Sequence, residues 1–105
     1  MIQVTVLYPA SDGRTFEMNY YLNTHVALFR KRLGAALKSL SVAEGIGGAT
    51  PGSTAPFVAI LHATFESAAA FETAFGPHAA EIQDDIPKYT NIQPIVQISE
   101  VKLDE

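Results

Sequence analysis

Residues 2–8 (IQVTVLY) are rich in β-branched side chains, stop at Pro9 and run into the polar turn Ser11-Asp12-Gly13, a pattern that predicts a strand. Over 17–33 the period changes. Met18, Tyr21, Leu22, His25, Leu28, Phe29 and Leu33 follow the i, i+3, i+4, i+7 template of a helix packed on one face. Gly34 offers a stop, and Arg30, Lys31 and Arg32 fall in the last turn, where the helix dipole favours cations. A weaker strand pattern spans 37–44, and the Gly- and Pro-rich stretch 45–56 (GIGGATPGSTAP) reads as a connection between strands. Residues 57–65 (FVAILHATF) are apolar almost throughout, interrupted by His62 and Thr64. Ser67 is placed to cap a second helical region carrying Phe71, Phe75, His78, Ala79 and Ile82 on one face, and Gly76-Pro77 should break or kink it. A last strand is expected over 92–103, with Pro94 putting its start near an edge or bulge.

The order strand, helix, strand, strand, helix, strand predicts an α+β, ferredoxin-like βαββαβ fold, a four-stranded antiparallel sheet with two helices on one face. Two helices cover only one side of such a sheet. In the third strand Phe57, Ala59, Leu61, Ala63 and Phe65 fill one side while Val58 and Ile60 begin the other. A strand apolar on both sides expects cover on both, and the chain holds no third helix to provide it. A second copy of the sheet is the simplest cover, so the pattern predicts a homodimer packed sheet against sheet.

Length and composition narrow the function classes. A chain of 105 residues fits one domain, 1–105, with a single small core. Apolar residues make up 48% of it, generous for that size, which again suggests a subunit interface. The net charge is -4 and the only basic run is Arg30-Lys31-Arg32, which disfavours nucleic acid as a partner. No cysteine is present, which removes disulfides, thiolate metal sites and thiol nucleophiles and suits a reducing compartment. No apolar run reaches the roughly 18 residues of a membrane span, and the N-terminus reads as a strand rather than a signal peptide. The expected setting is cytoplasmic, with no membrane partner.

His25 stands in the middle of the first helix's apolar stripe, four residues after Tyr21 and therefore beside it. Such a histidine can act as a general base or orient an acidic ligand at a cavity between helix and sheet. It can equally be a neutral core residue hydrogen-bonded to Tyr21 or to a backbone carbonyl. His62 and Thr64, with Gln93, Gln97 and Ser99 in the last strand and Gln3 and Thr5 in the first, would form a polar band if the strand faces coincide. That band would suit a small-molecule cavity with apolar walls and a few polar anchors, or else the wet rim of a dimer. His78 is read as helix packing rather than as an axial haem ligand. The 45–53 loop lacks a P-loop ending and leads into a strand, so it is read as a flexible connection or a lid rather than a phosphate cradle. Glu81, Asp84 and Asp85 have no obvious ligand spacing and are read as a solvated face, and no serine sits in a nucleophile elbow.

The phrases 16–25 (FEMNYYLNTH), 65–71 (FESAAAF) and 85–94 (DIPKYTNIQP), which span the chain from its first strand to its last, resemble the EthD family of the dimeric α+β barrel superfamily. The most specific element is an aromatic pair followed four residues later by histidine. The resemblance implies the ferredoxin-like fold and a homodimer whose sheets form a barrel, in agreement with the patterning. It places the family histidine on His25 and the aromatic pair on Tyr20 and Tyr21. Many members carry Trp where this chain has Tyr21, so a smaller ring and a hydroxyl stand there.

The wider superfamily includes cofactor-free monooxygenases, lactone isomerases, dehydratases and haem-degrading enzymes. The expected function is binding of a small apolar or aromatic metabolite, with no cofactor. If there is catalysis, His25 is the acid/base group and Tyr21 its neighbour, with Tyr20, His62, Thr64 and Gln97 as further ligand contacts. The competing expectation is a non-catalytic carrier or accessory to a degradative oxidase.

Overall fold

The computed structural model describes residues Met1–Glu105. Strand β1 (Ile2–Pro9) is followed by a first helical arm made of α1 (Met18–Tyr20), a π-helical turn (Tyr21–His25) and α2 (Val26–Leu33). Strands β2 (Ser39–Glu44) and β3 (Phe57–Phe65) come next. The second arm comprises α3 (Ala68–Phe75), a 3-10 turn at Gly76–His78 and α4 (Ala79–Asp84), and the chain closes with β4 (Ile95–Glu100). The strands lie in the order β2-β3-β1-β4, all neighbours antiparallel, which is the βαββαβ arrangement read from the sequence.

Both arms cover one face of the sheet. Val4 and Tyr8 of β1 and Ala59, Leu61, Ala63 and Phe65 of β3 point into it, packed against Tyr21, Val26, Phe29 and Leu33 of the first arm and Phe71 and Ile82 of the second. Each large apolar side chain sealed in this way contributes about 1.5–3 kcal/mol. The other face carries Leu7, Ile60 and Ile95 in one register and Thr5, His62 and Gln97 in another, with no helix over it.

Several boundaries differ from the expected ones for local reasons. The last strand is shorter than 92–103: Pro94 lacks a donor, so pairing starts at Ile95. The second strand starts at Ser39 because a 3-10 turn at Gly34–Ala36 follows the first arm. Gly34 ends that arm with φ +53 and ψ -131, a backbone state that side-chain-bearing residues avoid. Pro77 sits in the first turn of the 3-10 segment at Gly76–His78, which divides the second arm as the sequence indicated.

The π turn is the one irregularity that periodicity could not reveal. Val26 donates its N–H to the carbonyl of Tyr21, five residues back, so the arm holds one more residue than an α-helix would in that turn. The inward stripe is thereby moved on by one. His25 and Val26 are both buried although adjacent in sequence, Phe29 and Leu33 continue from Val26, and Leu22, expected inside, is exposed.

The second arm starts at Ser67, whose Oγ accepts the Ala70 N–H at 3.0 Å. Ser67→Ala should cost about 1 kcal/mol in urea denaturation and Ser67→Asp should retain most of that. An unchanged midpoint in the alanine variant would show that the cap does not hold the arm.

Candidate functional site

Between the helical arms and the sheet lies a cavity of about 730 Å³. Its floor is apolar, formed by Val4, Val6 and Leu61 of the sheet with Phe29 and Phe71 from the arms. Tyr8, Tyr21 and His25 form its polar end. Gln83, Asn91, Gln93 and Val96, all exposed, make the rim, so the cavity opens beside the β4 edge.

The π turn sets the chemistry of the polar end. It stacks the Tyr21 and His25 rings at 5.8 Å and 17°. The His25 ring also lies 4.6 Å from that of Tyr89. Tyr8, Phe16, Tyr21 and Tyr89 pack around one another with ring centroids 5.0–6.1 Å apart, each pair adding about 0.5–1.5 kcal/mol beyond its area. The hydroxyls of Tyr8 and Tyr89 are hydrogen-bonded at 2.7 Å. Burial raises all three phenols of Tyr8, Tyr21 and Tyr89 well above the ordinary range, so each keeps its proton.

His25 is held by Asp85, which the sequence had suggested was solvated. Asp85 follows α4 and is only 8% exposed. Its Oδ2 accepts from His25 Nδ1 at 3.0 Å and its Oδ1 accepts from the Tyr20 hydroxyl at 2.7 Å. The Lys88 ammonium stands 3.9 Å from Oδ1.

Burial opposes ionisation of Asp85. The hydrogen bonds from Tyr20 and His25, with His25 and Lys88 nearby, outweigh it and hold the carboxyl below its usual range. Burial pushes His25 below its ordinary 6.5, against the pull of the Asp85 hydrogen bond and charge. The pair is therefore a carboxylate and a neutral imidazole. An ionised carboxylate only accepts, so the imidazole proton sits on Nδ1 and Nε2 keeps a free lone pair.

The predicted site residues divide into three groups. Tyr21 and His25 line the cavity, stacked on each other, with Asp85 rather than Tyr21 as the hydrogen-bond partner of the imidazole. Tyr20 binds Asp85 and is not part of the cavity wall. His62, Thr64 and Gln97 lie on the opposite face of the sheet, because alternation along β3 and β4 turns them away from Leu61, Ala63 and Val96.

There the polar band expected from the sequence forms without Gln93, which precedes β4 and stands at the cavity rim instead. Thr5 Oγ1 meets His62 Nδ1 at 3.1 Å, Thr64 pairs with Ser39, and Gln97 donates to Ser99. It is not a second wall for His25. The 45–56 loop does not reach its own chain's cavity either, so within one chain it is no lid. The signal for Asp85 lay in the 85–94 phrase, not in helical spacing, since the residue sits just past the last helix.

No family model matches the chain, and no curated protein does. Among solved structures, an EthD-like protein from Ralstonia eutropha JMP134 is 38% identical and superposes with a TM-score of 0.93, the match covering 99% of this chain and 94% of that one. The chain belongs to the EthD family. A second ethyl tert-butyl ether (EthD) family protein, from Bacillus halodurans C-125, shares the EthD fold at a TM-score of 0.73 and 20% identity, over 96% of this chain and 98% of that one. A protein from Bacteroides fragilis NCTC 9343 described as dimeric and ferredoxin-like matches at a TM-score of 0.54 and 13% identity, over 95% of each chain. No helix of this EthD-family chain is long and apolar enough to cross a membrane.

The Asp85–His25 pair makes EthD-fold stability depend on pH with a definite sign. The folded value of His25 lies below its ordinary 6.5. Its contribution is therefore complete above 6.5 and is lost as pH falls through the folded value. Asp85 has the same sign lower down, complete above 3.8 and lost as pH falls through its depressed folded value. The urea midpoint should thus fall on acidification from neutrality, and His25→Asn should flatten the upper part of that fall. An acid profile identical in the two proteins would contradict the assignment of His25 as a buried neutral base.

Proposed function

We propose that this EthD-family protein is a homodimer that binds a small, largely apolar metabolite in the cavity of each subunit and catalyses proton transfer on it without a cofactor. The observation that carries this reading is the Asp85–His25 hydrogen bond through Nδ1, which leaves the Nε2 of a cavity-lining histidine without a protein partner. A base held in the right tautomer and kept neutral by burial is poised to remove a proton at ordinary pH. Asp85 is a positioning residue, and Tyr20 holds it in turn. Isomerisation and dehydration are the reaction types this arrangement serves.

The homodimer is supported by the uncovered sheet face. Leu7, Ile60 and Ile95 meet there in adjacent strands, Ile95 being 53% exposed, beside the band of Thr5, His62 and Gln97. A sheet with one apolar patch left open is completed by another sheet packed about 10 Å away. In that arrangement His62, Thr64 and Gln97 serve assembly and not ligand binding.

NMR titration with naphthalene should move resonances of His25, Phe71 and Val6 and leave Thr5 and His62 unmoved. His25→Gln should keep that binding and lose turnover of any substrate found. Turnover that survives His25→Gln would reduce the protein to the accessory carrier. Light scattering at micromolar concentration should give twice the chain mass of 11.3 kDa, and a stable monomer would overturn the assembly.

A further inference from the structure

Cross-strand register divides the uncovered face of the sheet into three rows. Ala43, Ile60, Leu7 and Ile95 make an apolar row, Ser41, His62, Thr5 and Gln97 a middle row, and Ser39, Thr64, Gln3 and Ser99 a row of hydroxyls and amides. No Lys, Arg, Asp or Glu stands in any of them. Charged side chains are the ordinary covering of a wet surface, and their absence fits a face that a second sheet covers. The rows also limit how two copies can meet in an aligned packing. Turned about a two-fold axis across the strands, the apolar row lies on the hydroxyl row, or, shifted so that the apolar rows meet, leaves the other rows bare. Turned about an axis along the strands, every row lies on its own copy and the two edges of the sheet change places. The end of one subunit's β2 then comes beside the start of the other's β4.

Residues 45–56 follow β2 there, and they form a finger rather than a slack loop. Gly45 donates to the Val58 carbonyl at 2.8 Å and Gly48 to that of Ser53 at 3.2 Å. The two limbs lie so close that a side chain at Gly45 would run into the Phe57 carbonyl, and one at Gly48 into Ser53. Gly52 turns the tip with φ +83. Residues 45–54 are all exposed, and the Ile46 side chain is wholly in water. At the start of β4, Gln93, Pro94 and Val96 belong to the cavity rim. Val96 and Ile98 are about half exposed on the helix side of that strand, beyond the cover of either arm. Ala43 and Ile95 stand in one row, so Ile46, three residues past Ala43, is level with the segment just before Ile95.

We propose that the 45–56 finger of each subunit closes over the cavity mouth of the other, with Ile46 of the partner subunit seated against Pro94 and Val96. This rests on the homodimer proposed above and adds that each binding site is completed by the partner chain. The finger carries no charged residue, and none lines the cavity or its rim, so the contact desolvates no ion. It also joins two apolar surfaces, Ile46 and the helix side of β4, that one chain cannot bring together because they lie at opposite edges of its sheet. A monomer would have an open mouth, whereas the dimer admits and releases ligand only as the finger lifts.

The chain holds no cysteine, so two can be introduced at these exposed positions without competing thiols. The double variant Ile46→Cys/Gln93→Cys, once oxidised, should run on a non-reducing gel at twice the chain mass, because a disulfide needs Cα atoms within about 7 Å. Ile46→Cys alone and Gln93→Cys alone should run at the chain mass. Light scattering of the reduced double variant checks that it is still a dimer. Naphthalene should leave the oxidised double variant roughly tenfold more slowly than the same protein after reduction, as expected when a lid is pinned shut. A reduced dimer that forms no bond between chains, one that forms its bond within a chain, or cross-linking by either single variant would overturn the lid and leave the homodimer standing. Cross-linking with naphthalene release unchanged, or with no naphthalene bound, would also overturn it, since the finger would then dock without guarding a site. A monomer would overturn the assembly and the lid together.

Discussion

A carboxylate sealed beneath a helix is unstable unless donors meet it, and the site of this protein is organised around meeting that demand for Asp85. Tyr20 and His25 each give it a hydrogen bond, one to each oxygen. The two donors come from the first helical arm, whereas Asp85 follows the second, so the contact ties both arms together above the cavity. Arg32 and Glu81, paired at 2.8 and 3.0 Å, tie the same arms at the surface, where water screens the attraction. The buried contact does more because it also fixes which imidazole nitrogen carries the proton.

The π turn makes that contact compatible with a packed core. An unbroken α-helix through Tyr21–His25 would place each following residue one position out of step with the stripe that Phe29 and Leu33 continue. With one residue added, Tyr21, His25 and Val26 all face inward and the aromatic cluster of Tyr8, Phe16 and Tyr89 closes around them. The outcome is a polar end on an otherwise apolar chamber, built where two helical arms and the β1 end of the sheet converge.

Much of this was legible in the sequence, for identifiable reasons. Alternation in 57–65 and the helical spacing of Phe29, Leu33, Phe71 and Ile82 reflect which side chains must leave water, so they specify elements and topology. The resemblance carried by 16–25 pointed to His25 and Tyr21 as the residues at the cavity. Three features were hidden. The π turn leaves no mark in apolar periodicity, and it displaced Leu22 to the surface. Asp85 resembles a solvated acid because its two donors lie 60 and 65 residues away in the chain. The separation of His62, Thr64 and Gln97 from His25 depends on strand facing, where a shift of one residue exchanges the two sides of a sheet.

The chemistry proposed for the site depends on His25 being neutral, with its proton on Nδ1 and a bare Nε2. Nitrogen NMR of selectively labelled histidine measures this directly at neutral pH. The account predicts for His25 a protonated Nδ1 and an unprotonated Nε2, a pattern that collapses in Asp85→Ala. A His25 carrying its proton on Nε2, or doubly protonated at neutral pH, would contradict it.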